Sequence, residues 1–388
     1  MEEGGEGEIT NNFGMHENGI QLGFLVRVFR VVRGKSGDSF YELTRRMNLA
    51  TRLCLFLVPF LATSCVAPKP ASSSLSRHEY QQAQMGLPFR IVLYAPAETT
   101  AKAAADAAFK RIAELNDSLS DYDMESELSR LSQTSGQGRA VPVSDDLWFV
   151  LQRAQALATR SGGAFDVTVG PCVNLWRKAR REGVMPDPRR LAAARQAVGY
   201  THVRLDARRR TVELLVPDMR LDLGGIAKGY AIDEALKVLK RFQIESALVT
   251  GGGDMAAGGP PPGRKAWRIE LAPLDASNAP PARFVSLSHG ALATSGDLFQ
   301  RLEIDGKRYS HIVDPRTGIG LTDHSLVTVV APDCITADSL TKVVSVLGPR
   351  EGMRFIEATP GVAARIVRRP GERIELHESH RFARYCEP

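Results

Sequence analysis

The stretch HVRLDARRRTVELLV, residues 202–216, constrains the architecture more than any other part of the chain. Two runs of alternating apolar and polar residues flank a turn at residues 206–210, which is the pattern of an antiparallel hairpin. A hairpin excludes an all-parallel, doubly wound sheet, because parallel neighbours need long crossovers. Further strand patterns fall at residues 89–94 (FRIVLY), 247–250, 267–271, 284–287, 308–313 and 326–330. Between them lie helical patterns. An Ala-rich one covers residues 100–115, and one begins at Ser144-Asp145-Asp146. The latter carries Leu147, Val150, Leu151, Ala154 and Leu157 at helical spacing and is stopped by Gly162. Another begins near Ile226. This mixture predicts an α+β fold: one large mixed domain of antiparallel-rich sheets with packed helices over residues 85–388. No repeat or long linker interrupts it, and GGPPPGR, residues 258–264, reads as a loop.

The N-terminal region has a different character. RRMNLATRLCLFLVPFLATSCVAPKP has a basic start, an apolar run over residues 53–61 and small residues before Cys65, the layout of a secretory signal. The apolar run is too short for a stable membrane-spanning helix. ATSC followed by a Pro/Ser-rich stretch resembles a lipoprotein signal, with Cys65 lipid-modified as the mature N-terminus. Ala62 stands where leucine is more usual, and an ordinary signal peptide with a nearby cysteine is the alternative. On this reading Met47 is the true start, residues 1–46 are a mis-called extension, residues 47–65 are the signal and residues 66–84 are a flexible tether. The expected location is extracytoplasmic, on the periplasmic side, membrane-anchored through Cys65.

A net charge of +6 on 388 residues, with no aromatic-studded basic block, gives no nucleic-acid signature. RKARR and ARRR read as solvated faces or turns. The five cysteines show no CxxC or zinc-like spacing.

The chemistry-bearing signals are four glycine-rich segments. LDLGGIAKGYAIDEAL, residues 221–236, runs from a strand end through Gly224-Gly225 into a helix. Backbone amides at such a helix start suit a phosphate, and Lys228 lies in the first turn. A plain strand–helix turn with a surface lysine would look the same. VTGGGDM permits positive φ angles or close passage under a flat ligand. SGGAFDVTVGP places Phe165 and Asp166 after a helix end. ATSGDLFQRLEIDGKRYSHIVDPRTG brings Ser295, Asp297, His311 and Asp314 around two turns. His311 alone would be an ordinary structural histidine. In CITADSLTKVVSVLG, Asp338 and Lys342 stand four residues apart on a helix, the spacing of a surface ion pair or of a site.

Eight segments in order resemble the FAD:protein FMN transferases (ApbE-like flavin transferases) from residue 85 to about 348. They are MGLPFRIVLY, LSDYDMESELSRLS, GGAFDVTVGPCVNLW, LDLGGIAKGYAIDEAL, TGGGDM, ATSGD, YSHIVDPRTG and TADSLTKVVSVLG. The resemblance implies a T-fold-like, Mg²⁺-dependent extracytoplasmic enzyme with FAD as substrate. It implies cleavage of the FAD pyrophosphate, release of AMP and attachment of FMN to a threonine of an acceptor protein through a phosphoester. Implied acceptors are subunits of membrane redox pumps or extracytoplasmic reductases. The chain has no close match to D-x-x-[ST]-[GA]-T, so self-flavinylation is not expected. Rival readings are a Mg²⁺-dependent FAD pyrophosphatase and a non-catalytic FAD-binding lipoprotein.

Position by position, the resemblance implies ring packing by Met85 and Tyr122. Ala164, Phe165 and Asp166 would line the FAD site, and Asp222, Lys228 and Ile312 would contact the nucleotide. The implied metal ligands are the Gly225 carbonyl, Asp338 and the group four residues beyond it. His311 and Asp338 are the catalytic candidates for handling the acceptor hydroxyl proton. Two positions depart from the family pattern. Ser132 replaces an asparagine, and Lys342 replaces the metal-binding threonine. Thr341, one residue earlier, is turned about 100° around the helix. A protonated lysine cannot ligate Mg²⁺.

Overall fold

The computed structural model describes residues 74–276, 279–280, 283–296 and 301–386. The signal, Cys65, the region before Met47, the first half of the expected tether and Asp297 lie outside the described residues. No helix among the described residues is long and apolar enough to cross a membrane.

The fold is α+β, built on an eight-stranded sheet. In spatial order its strands are Ser76–Gln84, Leu87–Ala95, Ala247–Gly251, Asp254–Ala257, Gly290–Gly296, Ser325–Ala331, Ala363–Arg368 and Glu375–Glu378. Every neighbouring pair in this sheet is antiparallel. Successive side chains in Leu87–Ala95 point to opposite faces. Phe89, Ile91 and Leu93 face one core, together with helices Glu98–Leu119, Ala227–Arg241 and Cys334–Glu357. Val92 faces a second core closed by the hairpin Trp267–Leu271 and Arg283–Leu287 and by Phe382. The predicted hairpin forms as Val203–Asp206 paired with Thr211–Leu214, and Asp206 closes its turn by accepting from the amides of Arg208 and Arg209. The strand pattern at 308–313 resolves into Lys307–Ser310 and Val313–Asp314.

The expected tether is corrected over its second half. Ser76–Gln84 is a strand paired in register with Leu87–Ala95. Its sequence SRHEYQQAQ is mostly exposed, as befits an edge strand held by its partner's backbone rather than by a buried face. Met85 and Gly86, with φ of 51° and 73°, form the two-residue turn between these strands. VTGGGDM is likewise a hairpin turn: Gly252 and Gly253 join strands in which Gly251 opposes Asp254.

The C-terminal helix Cys334–Glu357 breaks at Gly348, where φ is 74° and ψ is −178° before Pro349. Its first half carries the TADSLTK segment. Asp233, on helix Ala227–Arg241, accepts from the amides of Cys334 (2.8 Å) and Ile335 (2.9 Å), joining the two helices end to side.

Candidate active site

The site assembles where these two helices cross. Gly229 makes the crossing tight, since a Cβ there would stand 2.3 Å from the Cys334 carbonyl oxygen and 2.9 Å from Asp338 Cβ. Its amide belongs to the first helical turn and has no intrahelical acceptor. It donates to Asp338 Oδ2 at 3.1 Å. Lys228, one residue earlier, places Nζ 3.1 Å from the same oxygen and 3.0 Å from Asp254 Oδ2. Asp254 is delivered by the Gly252-Gly253 turn. On the other side of Asp338, Lys342 Nζ bonds Oδ1 and reaches Ser295 Oγ at 2.9 Å. The stem of Lys342 runs beside Gly225, with Cγ 3.4 Å from where a Cβ would stand. The Thr341 hydroxyl meets the same Ser295 Oγ (2.8 Å) and also bonds the Asp338 carbonyl (2.7 Å).

Asp338 is fully buried, so the Asp338–Lys342 step is not a surface ion pair. Burial alone would push the Asp338 carboxyl up, but Lys228 and Lys342 together outweigh it and hold it down at about 2. Asp254, with Lys228 as its nearest cation, is pushed up to about 6 by burial and by the charge of Asp338. Lys228 is held protonated because Asp254 and Asp338 overcome its own burial.

The donor set does not fit Mg²⁺ as it stands. A magnesium ion needs a near-octahedral shell of oxygens. Both Asp338 oxygens already hold ammonium or amide protons, and Lys342 brings a positive charge where the resemblance implies a neutral hydroxyl ligand. Among the described residues no group of three or more His, Cys, Asp and Glu could hold a metal.

A second group surrounds Asp222. Its Oδ1 accepts from the Gly224 amide (2.8 Å), and its Oδ2 from Arg177 Nη2 (2.8 Å). Arg177 also bonds Asp121 and lies 4.2 Å beneath the Tyr122 ring, which is 77% exposed. This corrects the reading of RKARR as a solvated face: Arg177 is largely buried and knits together two loops. Burial and the nearby Asp121 push the Asp222 carboxyl upward. Ser132 holds the segment leading into the Gly224-Gly225 turn, accepting from the Leu221 amide at 3.1 Å while donating to the Leu128 carbonyl. The strand expected there is only a single bridge between Arg220 and Val169, because the backbone beyond it turns into the helix.

The remaining expected residues divide. Phe165 Cε2 lies 3.3 Å from the Cβ position of Gly225, beside the Lys342 stem. Ala164 and Ile312 share a small apolar cluster with Val346, on the same helix as Asp338. Asp166 serves its own segment: its carboxylate accepts from Thr168 N and Oγ1 and from Tyr200 N, at 2.7–2.8 Å. Met85 packs against the main core from its hairpin turn. His311 is half-buried between Lys307–Ser310 and Val313–Asp314, next to Ile312. Sequence reasoning did not single out Gly229, Arg177 or Asp254 as site residues. Of these, the GxxxG-like spacing of Gly225 and Gly229 in LDLGGIAKGY was the one local hint of a close helix contact.

The ApbE family model matches residues 85–366. Similar curated proteins include the FAD:protein FMN transferases of Haemophilus influenzae, 33% identical over 63% of this chain and 72% of that protein, and of Vibrio cholerae, 36% identical over 63% and 73%. Among solved structures, the flavin transferase ApbE from Vibrio cholerae matches with a TM-score of 0.72 and 30% identity, covering 80% of this chain and 99% of that one. The ApbE protein from Thermotoga maritima matches with a TM-score of 0.72 and 28% identity, covering 81% and 100%. A family match over most of the described domain and the same fold in solved relatives lead to one conclusion: the chain belongs to the ApbE family.

Proposed function

We propose that this protein is an FAD:protein FMN transferase. It cleaves the pyrophosphate of FAD, releases AMP and joins FMN through a phosphoester to a threonine hydroxyl of an acceptor flavoprotein. The observation that carries this reading is the buried Lys228–Asp338–Lys342 cluster beside the Gly224-Gly225 turn, in a chain whose relatives bear that name.

The threonine oxygen attacks the phosphorus of the FMN half. The bond from that phosphorus to the bridging oxygen breaks, and AMP leaves with the electron pair. Such a transfer depends on positioning and on charge neutralisation. Lys228 and Lys342 supply fixed positive charge next to a helix start, and Asp338 holds both ammoniums in place. With its pKa held near 2 and both oxygens engaged, Asp338 acts as that anchor and is a poor proton acceptor. We assign the acceptor hydroxyl proton to His311. Tyr122 stacks on an aromatic ring of FAD, Phe165 and Ile312 line the apolar side, and Asp222 is oriented by Arg177.

The finer placement rests on sequence alone. The RRMNLATRLCLFLVPFLATSC segment supports a lipid anchor at Cys65 and a periplasmic location, and the acceptor is a protein carrying a threonine flavinylation motif. The test incubates the full chain with FAD and a threonine-bearing acceptor domain, with and without Mg²⁺, and follows acceptor mass and AMP. A covalent FMN adduct with stoichiometric AMP is the expected result. AMP without adduct would mean hydrolysis, and FAD binding without AMP would mean a carrier.

A further inference from the structure

We infer that Lys342 is the built-in cation of this site, taking the place of a divalent metal beside Asp338, so that the protein binds FAD and works without Mg²⁺. The inference deepens the transferase reading and rests on it for the identity of the substrate.

Three observations carry it. The first is position. Lys342 Nζ sits on Asp338 Oδ1 and 2.9 Å from Ser295 Oγ, between two oxygens of the kind a hard metal ion would use. An ammonium has three donors, and these two contacts leave one for a phosphate oxygen. The second is charge. Lys228 and Lys342 balance Asp254 and Asp338 one for one, so the buried cluster carries no surplus negative charge to attract a dication. A metal reaching Asp338 would have to expel an ammonium that is already paired. The third is that the neighbouring threonine does not take over as the missing ligand. The Thr341 hydroxyl is bonded to Ser295 and to its own helix, and the Lys342 stem is confined by Gly225.

The role differs from that of a structural ion pair, which would hold the helix but leave metal dependence intact. Lys342 neutralises the charge that accumulates on the pyrophosphate oxygens as the bond breaks, as an ammonium does in other phosphate sites.

The test reads metal binding directly. Full-length protein stripped with EDTA is titrated with Mn²⁺ in the presence of FAD, with bound ion followed by electron paramagnetic resonance. AMP release is measured in parallel in EDTA and in Mg²⁺. Wild type is expected to bind no Mn²⁺ at the site and to release AMP at the same rate in both conditions. Lys342→Thr is expected to bind one Mn²⁺ at least tenfold more tightly than wild type and to release AMP only with added metal. Lys342→Met, which keeps most of the stem's packing, is expected to lose AMP release at least a hundredfold in EDTA. Stoichiometric Mn²⁺ binding by wild type overturns the proposal, as does a folded Lys342→Thr protein with no gain in Mn²⁺ affinity. Absence of both AMP and adduct from wild type in every condition would instead refute the transferase reading, while the Mn²⁺ titration still decides what occupies the cation position.

Discussion

Replacing Gly229 with alanine sets local helix preference against tertiary packing, and the two predict opposite signs. In an isolated helix the change would stabilise by about 1 kcal/mol, because alanine is the better helix former. Here the new methyl would stand 2.3 Å from the Cys334 carbonyl oxygen and 2.9 Å from Asp338 Cβ. Ordinary contact is about 3.5 Å, so the two helices have to part by roughly 1 Å. Overpacking of this kind costs about 1–3 kcal/mol. Parting the helices also lengthens the 3.1 Å bond from the Gly229 amide to Asp338, a hydrogen bond to a buried charge of the sort worth about 1.5–3 kcal/mol. Subtracting the propensity gain leaves a net destabilisation of about 3 kcal/mol. Urea unfolding followed by the fluorescence of Trp148, Trp176 and Trp267 measures it. A variant as stable as wild type would refute the claim that the helix crossing depends on this glycine.

Lys228→Met removes the cation shared by Asp254 and Asp338 and should destabilise by about 3–5 kcal/mol, with loss of AMP release. Unchanged urea midpoints would contradict the shared ion pair. Tyr122→Ala should leave stability within about 0.5 kcal/mol, because the ring is exposed. It should weaken FAD binding by about 1–3 kcal/mol through lost stacking, read by flavin fluorescence titration. Burial pushes the Asp233 carboxyl up to about 7 from an ordinary 3.8, against the two amides it caps. Between these values the folded protein holds a proton that the unfolded chain has released. This contribution to stability is therefore present at acid pH and falls as pH rises towards 7. Asp233→Asn should gain stability relative to wild type between pH 5 and pH 8 in paired urea titrations. A constant difference would show that the carboxyl does not titrate in this range.

The strands and helices were legible where local patterns suffice. Trp267–Leu271 falls where its alternation places it, and Asp145–Arg160 begins at a Ser144 cap that accepts from the Leu147 amide. The edge strand Ser76–Gln84 escaped because its polar sequence buries little and its pairing is supplied by the neighbour. Arg177 was read as solvated for a related reason. Its partners Asp121 and Asp222 lie 56 and 45 residues away, and no window around RKARR contains them.

The sequence by itself determined the antiparallel α+β architecture, because periodicity and capping act over a few neighbouring positions, and the order of its glycine-bearing segments carried the resemblance that pointed to Lys228, Asp338 and Lys342. Only the tertiary structure decided what those residues do to one another. Asp338 and Lys342 look like a helical surface pair, whose worth is a few tenths of a kcal/mol. Once the Gly229 crossing buries Asp338 and brings in Lys228, the same pair becomes part of a charge-balanced cluster. Burial and the sum of nearby charges are set by chain segments far apart in sequence. For that reason the balance between an ammonium and a metal at Asp338 is a property of the fold.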